Sequence, residues 1–287
     1  MPTFRYLLLL LLLSYCYHAP AQTSTTGQVS TAAGAPVPYA SVGVQGKAVG
    51  TVADAGGAFA LATLGSAAPT DTVVVSCVGY QARKLRLAEL RQRPVVVLAL
   101  VPAPLREVQV RHAKVTPGTL GRTKTGGTAH WSTSIRDISE ADGNRGWEVA
   151  TLLPIRKSCY LDSFHVYIEK NEFELIRLRF NLYSIERGQP TQQLLTQDVQ
   201  FTIPANQTGW IDVDLTPYHL HLAKGQRVAA GIQWLQGQQS APTSRQFGGP
   251  GAFPAPRHRS LVRDKSEASW RAYPIHVSMY LDVQTYK

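Results

Sequence analysis

The chain has 287 residues, 44% of them hydrophobic, with 29 Lys and Arg against 19 Asp and Glu and a formal net charge of +10 at pH 7. That charge is spread over both halves with no concentrated basic arm and no nucleic-acid-binding motif, so no nucleic-acid partner is predicted. Cysteine is scarce at three residues, which excludes a fold stapled by several disulfides.

The first element is a leader. Arg5 precedes the unbroken apolar run Leu7 to Leu13, and Ala19-Pro20-Ala21 supplies small residues where a signal peptidase cuts. The run is shorter than the ~20 residues that span a bilayer, so residues 1–21 are expected to be an export signal cleaved after Ala21. The competing reading is lipidation at Cys16, against which Tyr15 stands where a small residue is usual. No later segment approaches a transmembrane span, so the mature chain is expected to lack one.

From Pro36 to Tyr80 short alternating runs are bounded by turns. Val42 and Val44 alternate with Ser41, Gly43 and Gln45, and Phe59 and Leu61 alternate with Ala58, Ala60 and Ala62, the period of half-buried strands. Between them Asp54-Ala55-Gly56-Gly57 is turn chemistry, and Asp54 is expected to bond nearby backbone N–H groups; the oxygen donors a Ca²⁺ site needs are not evident beside it. Tyr80 is expected to pack its ring at a sandwich edge. Pro38 to Val42, Gly50-Thr51, Asp54 with Gly57 and Phe59, and Val78-Gly79-Tyr80 together resemble the carboxypeptidase-regulatory-like domain of Bacteroidetes-type envelope proteins, over residues 27–110. The resemblance implies an Ig/transthyretin-like β-sandwich and an envelope location, and it implies no carboxypeptidase activity.

A strand at Val95 to Val101 should close this domain before Pro102-Ala103-Pro104. The following Leu105-Arg106-Glu107-Val108-Gln109-Val110 is similar to the segment that leads out of the family's sandwich, in TonB-dependent receptors toward a plug and a 22-strand barrel. The residues that remain here are too few for such a barrel at ~10 residues per strand. Domains are therefore expected at 22–111 and 131–287. Residues 112–130, rich in turn formers such as Thr116-Pro117-Gly118, would be a linker between them.

The second domain repeats one dry face and one wet face. Tyr160, Phe164, Val166 and Ile168 share one parity against Ser163, His165 and Tyr167, and Ile176, Leu178, Phe180 and Leu182 oppose Arg177, Arg179 and Asn181. Near the C-terminus Val277, Met279, Leu281 and Val283 oppose His276, Ser278, Tyr280 and Asp282. Further strands are expected at 147–153, 194–203, 209–215 and 227–235, with no long helix, which predicts a second antiparallel, jelly-roll-like sandwich and an all-β chain. Cys77 and Cys159 fall in different domains and are expected as separate thiols rather than a disulfide.

Candidate chemistry is confined to three places. Trp210, Asp212 and Asp214 share strand parity, so an indole could stack on a sugar ring while the carboxylates accept its hydroxyls; the structural alternative has both acids capping turns or pairing with Arg177 and Arg179. His219 and His221 would share a strand face, but a metal needs a third ligand such as His165 or His276, and no metal or other cofactor is predicted. The stretch from Gly237 to Arg259 reads as a long loop whose Arg257 and Arg259 suit an acidic glycan or a protein, flanked by Trp234 and Trp270 as platforms or plugs.

No catalytic motif of a hydrolase or nucleotide-binding enzyme is present, so a non-catalytic envelope protein binding a glycan or an envelope protein is expected, in the periplasm or at the outer membrane or cell surface. The rivals are a glycan-acting hydrolase using Asp212 and Asp214, and an accessory to a TonB-dependent receptor.

Overall fold

The computed structural model describes residues 25–101, 115–135, 143–238 and 245–286. The leader with Cys16, and the segment from Leu105 to Val110, lie outside the described residues. The chain is all-β, and among the described residues no helix is long and apolar enough to cross a membrane.

The first domain holds β1 (Thr26–Ser30), β2 (Ser41–Val44), β3 (Gly50–Val52), β4 (Ala58–Ala60), β5 (Thr72–Ser76), β6 (Arg83–Arg86) and β7 (Val95–Val97). Two sheets, β4-β1-β7 and β3-β2-β5-β6, form its sandwich, antiparallel except for β1 against β7. Val29, Val42, Phe59, Val73, Val75 and Val96 fill the space between them. Asp54 acts as the turn residue its sequence suggests, its Oδ1 accepting from the N–H groups of Gly56 and Ala58 at 2.8 Å each. Tyr80 is half-buried against this core. A six-residue helix, Leu87–Gln92, was not apparent from periodicity; it adds Leu87 and Leu90, three apart and so on one face, to the core.

The second domain holds β8 (Val115–Gly121), β9 (Ala129–Ile135), β10 (Glu148–Pro154), β11 (Cys159–Ile168), β12 (Lys170–Asn171), β13 (Leu175–Glu186), β14 (Gln189–Gln193), β15 (Val199–Pro204), β16 (Gly209–Asp214) and β17 (His221–Leu222). It continues with β18 (Arg227–Gln238), β19 (Arg245–Ala252), β20 (Ser260–Arg263), β21 (Arg271–Tyr273), β22 (His276–Val277) and β23 (Met279–Tyr286). The larger sheet runs β14-β13-β18-β10-β20-β21 with β15 also on β13, and its partner runs β16-β11-β23-β8 with β17 also on β11. The chain passes back and forth between them, and their inner faces meet in one core, with the Phe164 and Phe180 rings 4.7 Å apart. A third sheet, β12-β19-β22 with β9, adds Trp131, Phe247 and Val277 to the same core.

Several sequence expectations are corrected by this pairing. Residues 115–121, expected as linker, form β8 and pair along β23 from Tyr280 to Tyr286. The expected long loop contains β19, and Phe247 within it is fully buried against Trp131 and Trp234. Tyr160 is exposed rather than sharing the inward face of Phe164, because a bulge between Leu161 and Ser163 inverts the alternation along β11.

The expected wet face of β13 is buried at Arg179 and Asn181, with Tyr39 of the first domain lying over Arg177 and Arg179. Arg179 is 2% exposed and makes a two-point ion pair with Asp198, with contacts of 2.5 and 2.7 Å. It also donates to Gln233 and to the Tyr39 carbonyl at 3.0 Å. Burial opposes its charge, and Asp198 outweighs burial, holding the guanidinium above its usual pKa. Gln233 bonds Ser41, Arg145 bonds the Val52 carbonyl, and Tyr39 and Val52 pack on Leu235, so the domains share a buried seam. Cys77 and Cys159 are both free thiols, each raised in pKa by burial.

Candidate ligand-binding face

The outer face of the β16-β11-β23-β8 sheet gathers the chemistry. On β16 the alternation is as expected, with Ile211 and Val213 buried and Trp210, Asp212 and Asp214 outward. Register sets Tyr167 opposite Trp210, His165 opposite Asp212 on one side, and Tyr280 opposite His165 on the other. Residues opposed in an antiparallel pair share a face, so four rings from three strands become neighbours. His165 stacks on Tyr280 at 4.2 Å and 10°, Trp210 meets Tyr280 edge-on at 4.8 Å, and Tyr167 meets Trp210 at 5.3 Å.

Carboxylates flank this strip. Asp212 lies 2.5 Å from His165 Nδ1 with its side chain 67% exposed, and Asp282 lies 3.1 Å from His165 Nε2 while accepting from Thr119 at 3.0 Å. Partial burial and the neighbouring Asp282 and Asp212 push the Tyr280 phenol upward, keeping it a neutral donor. Asp214 takes the structural role weighed for it, capping Thr216 through contacts of 2.9 and 2.6 Å, and those bonds depress its pKa. Neither acid pairs with Arg177 or Arg179, which lie on β13 in the other sheet. The strip can stack on an apolar ring face while Asp212 accepts hydroxyl protons.

Ser163 Oγ lies 2.7 Å from His165 Nε2, so Ser163, His165 and Asp212 are connected in the order of an acyl-transfer relay. Asp282 shares that same Nε2, however, and backbone N–H groups inside a sheet point along its ladder rather than out of the face. The sheet backbone therefore supplies no oxyanion donors beside this cluster among the described residues.

The other sequence candidates lie elsewhere. Trp234 is no platform: it is 0% exposed and wedged between Phe173 and Phe247. Trp270 is half-buried under Arg263, whose guanidinium sits 4.6 Å over the ring, and lines a cleft of about 430 Å³ between the domains with Cys77, Tyr80, Arg179 and Glu267. Arg257 and Arg259 are exposed on the connection from β19 to β20. His219 adopts a left-handed conformation after a short 3₁₀ turn, so it does not share a strand face with His221, whose ring lies tilted against Tyr160, 5.1 Å away between centroids. Among the described residues no three His, Cys, Asp or Glu side chains converge as a metal would require.

His165, Tyr167, Tyr280 and Asp282 were visible in the sequence only as polar-face residues of their strands. Nothing local showed that β11 lies between β16 and β23, which is what joins them to Trp210.

These features define an all-β chain of two sandwiches, the first Ig-like. Residues 25–110 match the family model of the CarboxypepD_reg-like domain. No curated protein matches the chain. Similar solved structures include a clostridial cysteine protease after propeptide cleavage, at 10% identity and TM-score 0.38 over 59% of this chain and 40% of that one. They also include infectious bursal disease virus, Gt strain, at 10% identity and TM-score 0.32 over 86% and 56%, and a subviral particle of that virus at 12% and 0.32 over 75% and 50%. The chain thus spans about half the length of these structures, and likenesses this low carry no inference about it.

Proposed function

We propose that this is an exported, non-catalytic protein of the bacterial envelope that binds a glycan through the outer face of the β16-β11-β23-β8 sheet, with the first domain as a structural or docking module. The observation that carries the glycan reading is the ring strip of Tyr167, Trp210 and Tyr280, with Tyr280 stacked on the buried His165 and the exposed Asp212 at its border. Aromatic faces match the apolar faces of pyranose rings, and the fixed carboxylates suit their hydroxyls. The export reading rests on the leader sequence and on the family of the first domain.

The test is retention of the mature protein on an array of envelope and plant polysaccharides, with Trp210→Ala as the variant. Removing a stacking platform should weaken binding about tenfold or more, about 1.4 kcal/mol, while the thermal melt stays close to wild type because Trp210 lies outside the core. Absence of wild-type binding to every glycan would sink the reading. Release of reducing sugar from a bound polysaccharide, lost in Asp212→Asn, would favour the hydrolase instead.

A further inference from the structure

We infer that the ligand is a linear, uncharged oligosaccharide several rings long, held at two platforms on this one face; this rests on the reading of the face as a glycan site. The second platform is Tyr160, His221 and Tyr286. Tyr160 stands 5.1 Å from His221 and 5.8 Å from Tyr286 between ring centroids, and it is 44% exposed. His221 and Tyr286 are hydrogen-bonded to each other, which fixes their rings.

Both platforms face the same way. Along β23, Tyr280, Asp282, Gln284 and Tyr286 alternate with the buried Met279, Leu281 and Val283. Tyr160 lies opposite Gln284 and His221, and Ser163 lies opposite Asp282, so the bulge that inverts β11 is what turns Tyr160 out onto this face. Tyr286 lies six steps along the strand from Tyr280, which at ~3.3 Å per step is about 20 Å. A single sugar ring is far shorter than that span, so only a chain of rings engages both ends.

The surface between the platforms suits hydroxyls. Gln284 donates to Asp162 at 2.6 Å, and Asp282 is held by Thr119 and His165, giving pre-oriented polar groups along the path. Asp162, Asp212, Asp214 and Asp282 place four carboxylates along the path between the platforms, and like charge disfavours a polyanionic glycan there. Two weak platforms on one rigid sheet act in series, so the second contact forms at high effective concentration.

Calorimetric titration with neutral β-1,4-glucan, α-1,4-glucan, β-1,4-xylan and β-1,4-mannan oligomers, from disaccharide to octasaccharide, tests this. Affinity should rise about tenfold or more with chain length. Tyr160→Ala should remove that gain, weakening the octasaccharide about tenfold more than the disaccharide, Tyr160→Phe should restore it, and Trp210→Ala should weaken every length. Binding that is flat with length, or a Tyr160→Ala loss equal for short and long oligomers, would overturn the two-platform inference and leave the glycan reading standing. Preference for polygalacturonate over the neutral series would overturn the charge argument. No binding of any series, with none on the polysaccharide array, would remove both.

Discussion

His276 shows how one side chain converts packing into pH dependence. It stacks on His258 with ring centroids 3.8 Å apart, and burial, then the positive field of His258 and Arg122, lowers its pKa from 6.5 to about 4. Between those values the unfolded chain binds a proton that the folded chain does not, so the stability contributed is complete above pH 6.5 and is lost as pH falls toward 4. Urea midpoints measured across that window should fall with pH, and His276→Gln should flatten the slope; an unchanged slope would remove His276 from the account. Trp234 carries the complementary lesson. A tryptophan beside a predicted loop is equally a platform or a plug by sequence, and only the packing of Phe173 and Phe247 on both sides decides for the plug.

At the scale of elements, β18 is gripped by β13 on one edge and β10 on the other. A Cβ on Gly231 would stand 2.1 Å from the Val149 carbonyl oxygen and 2.6 Å from the Ala150 side chain. Gly231→Ala should therefore push β10 and β18 apart and cost about 1–3 kcal/mol, seen as a lower urea midpoint with unchanged m-value; a wild-type midpoint would refute the close packing. Strands with clean alternation, such as β16 and β23, were legible in the sequence because one face meets the core and the other does not. The missed strands failed for the opposite reason. Gly248-Gly249-Pro250-Gly251 in β19 reads as turn, yet those glycines are close-approach positions, with a Cβ on Gly249 falling 2.2 Å from the Tyr167 carbonyl oxygen. Thr116-Pro117-Gly118 reads as linker, yet β8 is a sheet edge, where a proline's missing donor is tolerated.

Across the whole molecule the two sandwiches are tied by buried polar groups. Arg179→Met would leave Asp198 without its cationic partner, held by Gln200 alone, and break the link to Tyr39, with an expected loss of about 3 kcal/mol. Wild-type protein should melt in a single calorimetric transition, and the variant at a lower temperature; two separate wild-type transitions would contradict the coupling. The sequence by itself determined the all-β class, the family of the first domain, the Asp54 turn and the outward parity of Trp210 and Asp212, because each follows from local backbone preference or from a strand's period of two. The tertiary structure alone decided that Arg179 is buried, that Trp234 is core, and that rings from three strands meet beside Asp212. Those outcomes depend on which strands pair and which domain covers which face, and such contacts join residues far apart in the chain, where no local pattern records them.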